Sequence, residues 1–357
     1  MICKCTLTLN SKKTMQNKRF YTNSGESPFI PEFLQKWRNR NRNLLDYCRT
    51  INESLYAEGK IRSWKKYRML YGKLERFLSN YGGSSVHDVP LKKVDRAFIM
   101  DFDAYLRSTP LHPNSVSVNM SVLQTIINRA FYIDDAIPGK TTPFHGYTFR
   151  QLKSYKAVLS PEEIASLRAL TLEAHTGLWD ARNAFLFSYY CAGIRVGDLL
   201  RLKWSNVCSG NRLVYVMSKN LKYRDLILVK PAIDILSAYG GRNNGFIFPY
   251  LNPRADYSLY PEKELMPWQK LELANDISNA TKRINRALEK ICGMAGIGKH
   301  VTMHVSRHSF ASLARERGVM SAEIKNLLAH SNLKTTEIYM GDFDRQKSDD
   351  ILHNLFE

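Results

Sequence analysis

Residues 303–319 read MHVSRHSFASLARERGV. His304 and Arg307 stand three apart, which puts both on one face of a helix. His308 follows at once, and Phe310, Leu313 and Ala314 recur behind them at helical spacing. Thr302 is placed to cap this helix, so the histidine and the arginine fall near its N-terminal end. An ordinary amphipathic helix explains the apolar stripe. It does not explain a His-x-x-Arg pair gathered at one helix end, so the rest of the chain must say whether that pair has company.

At 357 residues the chain has room for two domains, and 44% hydrophobic residues suffice for a sizeable core. The charge is less ordinary: 52 Lys and Arg against 33 Asp and Glu, a net of +19. Such an excess points to a polyanionic partner, nucleic acid more often than an anionic membrane. It is also uneven, since the first 156 residues hold 26 of the basic but only 12 of the acidic residues. The six cysteines are scattered with no CxxC pair, which argues against a zinc site and against disulfides, and for a reducing cytoplasm. The start, MICKCTLTLN, has no long apolar run, so no signal peptide is expected. AFLFSYYCAGI, the longest apolar stretch, is too short to span a bilayer. No carboxylate cluster for Mg²⁺ and no Walker loop is visible, so neither metal nor cofactor is expected.

The chain divides by pattern. Residues 1–28 begin with an alternating ICKCTLTL, a short strand, and continue as a polar basic stretch, read as a tail or the remnant of an arm segment. Residues 29–135 carry four helical patterns. In the second, SWKKYRMLYGKLERFLSNYG, Ser63 is placed as N-cap and Gly82 near the end, and Lys65, Lys66 and Arg68 are candidates for phosphate contact. A helical bundle whose cations are merely solvated is an equal reading of this module on charge alone. Residues 136–157, with two prolines and no clear period, form a linker. A second, mixed domain over 158–340 opens at LSPEEIASLRAL, where Ser160, Pro161 and Glu163 spell a capping box. DARNAFLFSYYCAG is a central apolar helix, 212–217 and 224–229 form a hairpin, GFIFP offers a further short strand, and the pattern is helical from Ala274 onward. Residues 341–357 form a C-terminal tail helix with Ile351, Leu352, Leu355 and Phe356 on one stripe. The fold class expected is mainly α with a small antiparallel sheet.

The pair at 304 and 307 does have company. Arg195 follows the central helix in CAGIRVGDLLRLKW, with Asp198 three residues on, a natural ion-pair partner. Lys219 lies in the hairpin turn with Lys222 three residues later; His330 ends SAEIKNLLAH; Tyr339 lies in TTEIYMGD. Each alone is weak, since a turn lysine is usually solvated and a helical tyrosine usually core. As an ordered set, AGIRVGDLLRL, Lys219 in a hairpin, HVSRHSFAS and LLAHSNLKTTEIY resemble the tyrosine recombinase (phage integrase) family, with intervals of 24, 23 and 9 residues from Arg195 to Lys219, Arg307 to His330 and His330 to Tyr339.

The chemistry of the set agrees with the resemblance. Tyr339 supplies a phenol, whose ordinary pKa of about 10 calls for help from neighbouring cations. Arg195 and Arg307 can each fork two N–H groups onto phosphate oxygens. Lys219 can protonate a departing 5′ oxygen, His304 is a candidate base, and His330 can donate to the phosphate. The resemblance implies that Asp198 orients Arg195, and that a two-domain clamp closes on double-stranded DNA. It further implies a homotetramer on synapsed duplexes, a monomer or dimer when free, a possible accessory DNA-bending protein, no membrane partner, and a place in the bacterial cytoplasm at the nucleoid. The HVSRHSFAS wording looks most like recombinases of Bacteroides-type mobile elements. Two rival readings are a DNA-binding regulator that lost the chemistry and a type IB topoisomerase-like enzyme.

Overall fold

The structure is a computed structural model that describes residues 43–79, 88–152, 156–240 and 245–328. The expected tail over 1–28, Gly82, His330, Tyr339 and the expected C-terminal helix lie outside the described residues.

The N-terminal unit holds helices α1 (Leu44–Ala57), α2 (Ile61–Leu78), α3 (Arg96–Ser108) and α4 (Pro113–Tyr132). α2 buries Leu70, Leu74, Phe77 and Leu78, the i, i+4, i+7, i+8 face of an amphipathic helix. Phe77 meets Phe98, Phe102 and Tyr105 at ring-centroid distances of 5.6, 5.3 and 5.3 Å. Two helix starts follow local chemistry: Asp95 accepts from Phe98 N at 2.9 Å, and His112 precedes Pro113 at N1. The second helix departs from expectation. It begins at Ile61, with Lys60 rather than Ser63 at the N-cap. The reason is the turn before it: Gly59 takes φ +68°, and Gly59 N and Lys60 N donate to Tyr56 O and Leu55 O, so α1 closes in one tight turn and α2 starts at once. Much of the expected linker packs back on this unit. Ile137 and Phe144 join its core, Tyr147 Oη donates to Asp103 at 2.9 Å, and Leu152 N donates to Asn114 at 2.8 Å.

A separate core runs from Leu159 to Val305. α5 (Pro161–Ala169) starts with the capping box that Ser160 and Glu163 spell. α6 (Gly177–Tyr190) is buried on most faces and is central, against α8 (Lys230–Ala238), α10 (Pro267–Met294) and α11 (Met303–Glu316). Between them stand the short α7 (Val196–Leu199), the antiparallel sheet β1 (Val207–Cys208), β2 (Arg212–Val216) and β3 (Tyr223–Ile227) in that order, and α9 (Asp256–Leu259). α12 (Ser321–Leu327) closes the described chain.

The hairpin registers Tyr215 opposite Arg224 and Val216 opposite Tyr223. GFIFP is not a strand. Phe246 makes one bridge to Lys203, and Phe246, Ile247 and Phe248 serve as core; Pro249, which lacks an N–H, follows at once. α10 begins at Pro267, seven residues before the periodic pattern, where proline at N1 sets the start. No helix among the described residues is long and apolar enough to cross a membrane. The two units touch where Lys65 Nζ on α2 donates to Asn275 Oδ1 on α10 at 2.8 Å.

Candidate active site

The site grows from one sharp turn. After α6 the chain reverses through Ala192 and Gly193, at φ +56° and +64°. Gly193 N donates to Ser188 O, and the Ser188 hydroxyl faces that of Ser306 on α11 at 2.7 Å, so the turn is stapled to the His-x-x-Arg helix. A Cβ at Gly193 would fall 2.8 Å from Arg307 Cα, closer than carbon atoms approach. Only glycine lets the two backbones come this near. Arg307 is buried at 3% exposure; its Nη1 donates to Gly193 O at 2.6 Å and its Nη2 to Leu328 O. Two residues beyond Gly193, Arg195 stands at the head of α7, half-buried, with Nη1 4.0 Å from Met217 Sδ of the hairpin.

Asp198 departs from expectation. It is buried, and its Oδ1 accepts from both the backbone N (2.9 Å) and the hydroxyl (2.7 Å) of Ser218, not from Arg195. The carboxylate therefore anchors the residue before Lys219. Asp198 thus meets the hairpin turn, while Arg195 lines the cleft. The hairpin turn is also tighter than expected: Met217 N donates to Lys222 O at 2.9 Å, Leu221 takes φ +54°, and Tyr223 already belongs to β3.

Arg195, His304 and Arg307 open on one cleft of about 110 Å³, together with Thr281, Asn285 and Thr302. Thr302 holds the N-cap position of α11 but makes no side-chain cap bond; Asn285 Oδ1 accepts from Met303 N instead, at 2.9 Å. The His304 ring meets His308 edge-on at 4.8 Å. Partial desolvation, then the positive charges of Arg307, Lys156, Arg195 and Lys219, push the His304 imidazole down to about 4, although the side chain keeps an exposed surface. Desolvation and the cations of Arg195, Arg62, Arg307 and Lys66 likewise lower the Lys219 ammonium below its ordinary value. A neutral imidazole, a lysine readier to release its proton, and two fixed guanidinium groups make a cradle for a tetrahedral oxyanion. Among the described residues no cluster of His, Cys, Asp or Glu could hold a metal ion.

The basic candidates of α2 separate. Lys66 belongs to the field around Lys219, Lys65 is spent on Asn275, and the Arg68 guanidinium lies over the Trp64 ring at 5.2 Å. Lys222 stays exposed. Two contributors were missed, Arg62 and Lys156; Gly193 is legible as the residue that ends the central helix, but its contact with Arg307 is not. Arg62 lies four residues before Lys66, and its helical face was a usable signal; nothing in the spacing pointed to Lys156.

A family model described as phage integrase family matches residues 157–345, and one described as phage integrase SAM-like domain matches residues 43–146. The chain belongs to the phage integrase family. Among curated relatives of this family, the tyrosine recombinase XerD of Rickettsia bellii is 25% identical over 253 residues, 68% of this chain and 77% of that protein. The tyrosine recombinase XerC of Xanthomonas campestris is 27% identical over 186 residues, 51% of this chain and 50% of that protein. Among solved structures, a lambda integrase fragment, as a dimer bound to a COC′ core site, aligns with a TM-score of 0.60 at 18% identity, covering 85% of this chain and 97% of that one. The XerH site-specific recombinase bound to its difH substrate aligns at 0.54 and 17%, covering 81% and 78%. At those identities the structural likeness speaks for the fold alone: the mainly helical two-domain architecture with its small antiparallel sheet is that of these recombinases.

Proposed function

We propose that Tyr339 attacks a DNA phosphodiester and that Arg195, Lys219, His304, Arg307 and His330 assist it. That the chain is a tyrosine-type site-specific DNA recombinase follows from its family, and neither a silent regulator nor a type IB topoisomerase is favoured. In the step proposed, the Tyr339 oxygen bonds to phosphorus as the bond from phosphorus to the 5′ oxygen breaks. The Tyr339 proton passes to a base, the role proposed for His304 once the phosphate charge offsets the cations that lower its proton affinity, and Lys219 gives a proton to the leaving 5′ oxygen. Arg195 and Arg307 neutralise the charge that gathers on the non-bridging oxygens, and His330 donates to the same phosphate. Religation by a new 5′ hydroxyl reverses each transfer, so the 3′-phosphotyrosyl bond conserves the energy of the one it replaced.

The observation that supports this reading is the shared cleft of Arg195, His304 and Arg307, with Lys219 within their electrostatic reach. The partner is duplex DNA, contacted on the N-terminal unit by cations of α2 that include Arg62 and Lys66, one helical turn apart. The finer parts of the reading are synapsis as a homotetramer, help from a DNA-bending protein, action at the nucleoid, and service to a Bacteroides-type mobile element. A nicked suicide duplex tests the chemistry: the protein should be trapped covalently, and Tyr339→Phe should bind the duplex without being trapped. Trapping of the Phe variant would move the nucleophile elsewhere, first to the exposed Tyr223.

A further inference from the structure

Arg224 lies on β3, five residues after Lys219, and the reaction as described gives it no task. Its side chain leaves the hairpin and reaches α12 more than a hundred residues away. Nη1 donates to Asn326 O at 2.9 Å and Nη2 to Leu327 O at 2.5 Å. These are carbonyls of the last turn of α12, the end of a helix that favours a cation. The next carbonyl, that of Leu328, accepts from Arg307. Three consecutive carbonyls are thus held by two arginines, one from the hairpin and one from the His-x-x-Arg helix. The chain then runs directly into the segment that carries His330 and Tyr339. The hairpin end of this strut is itself fixed. Arg224 is paired across the ladder with the buried Tyr215, and the turn before it is tied to Asp198 through Ser218.

We propose that Arg224 is a positioning residue that sets the register between the Lys219 hairpin and the segment bearing His330 and the nucleophile. This rests on the reading of Tyr339 as nucleophile. The physical case is that both ends of the strut are anchored, while its two N–H groups meet the helix end that leads in sequence to the functional segment. A planar fork fixes direction as well as distance, which a lysine does not. A small displacement of an attacking group costs rate far more than it costs binding.

The test uses the full chain, a nicked duplex, and the same duplex with sulfur in place of the 5′ leaving oxygen. Arg224→Ala should keep DNA affinity within about twofold and slow single-turnover trapping roughly tenfold to hundredfold. The slowing should be equal on oxygen and sulfur substrates, because the attacking group rather than the acid is misplaced. Arg224→Lys, which keeps the charge but not the fork, should recover only part of the rate. Wild-type rates for Arg224→Ala would overturn the proposal, as would full recovery by lysine, or a loss that follows the unfolded fraction as temperature is varied. Rescue by sulfur would also overturn it and make Arg224 a support of Lys219 alone. Failure of the wild-type protein itself to be trapped would instead refute the nucleophile reading.

Discussion

The guanidinium of Arg307 donates to the carbonyl of Gly193 at 2.6 Å, across 114 residues of sequence. Gly193 is two residues from Arg195, so one hydrogen bond fixes the distance between the two arginines of the cleft. The bond exists because residue 193 has no side chain: its contact with Arg307 Cα leaves no room for a Cβ, and its φ of +64° disfavours one. Gly193→Ala should therefore destabilise the catalytic unit by at least about 1–3 kcal/mol through backbone strain alone. Chemical denaturation would measure this. Covalent trapping by the residual folded fraction should also be reduced; an alanine variant with unchanged stability and trapping would remove Gly193 from the account.

Asp198 should act through the hairpin. Asp198→Ala leaves two half-buried Ser218 donors without their acceptor, a loss of roughly 1 kcal/mol or more. Asp198→Asn keeps an acceptor oxygen and should lose less. Cleavage by the Ala variant should slow on an oxygen leaving group and recover partly on sulfur, since the misplaced group is the acid. Identical behaviour of the Asn and Ala variants in denaturation and cleavage would contradict this.

The two turn lysines should separate in the same assay. Lys219→Ala should slow cleavage by orders of magnitude and be rescued in large part by the sulfur leaving group, which departs without a proton. Lys222→Ala should mainly weaken binding. Sulfur rescue of Lys222→Ala in place of Lys219→Ala would exchange the two roles.

His304 gives a pH signature. Its folded-state value near 4 lies below the ordinary 6.5, so the unfolded chain takes up the proton first. The stability tied to neutral His304 is present above about 6.5 and is lost as pH falls towards 4. Wild type should lose melting temperature over that window more steeply than His304→Gln. An NMR titration should place the imidazole near 4 in the free protein and higher once a phosphate dianion or DNA fills the cleft. A free-state midpoint near 6.5 would mean that the surrounding cations do not act on it.

Salt dependence should register α2. If Arg62 and Lys66 each meet a phosphate, removing both should lower the slope of log affinity against log salt by about two. Removal of Arg68, which lies over Trp64, should change it less. Equal effects from Arg68 and Lys66 would place the DNA on the other face of the helix.

Sequence alone determined the elements whose cause is local. The capping box at Ser160, the hairpin, the central helix and the four N-terminal helical patterns are written in period and cap chemistry, which act within a few residues. The set Arg195, Lys219, His304 and Arg307 was legible because residue types and intervals survive in one dimension. Tertiary structure decided what each group is tied to. Asp198 pairs with Ser218 rather than Arg195 because the hairpin turn brings the two Ser218 donors to its carboxylate. Lys65 faces Asn275 across the two units, Arg224 reaches α12, and Gly193 is dictated by a neighbour 114 residues away. The low value at His304 likewise comes first from desolvation and then from Arg307 on its own helix and cations on three other segments. Hydrogen bonds and Coulomb fields act over ångströms of space, and a linear pattern carries no record of which distant residues will share them.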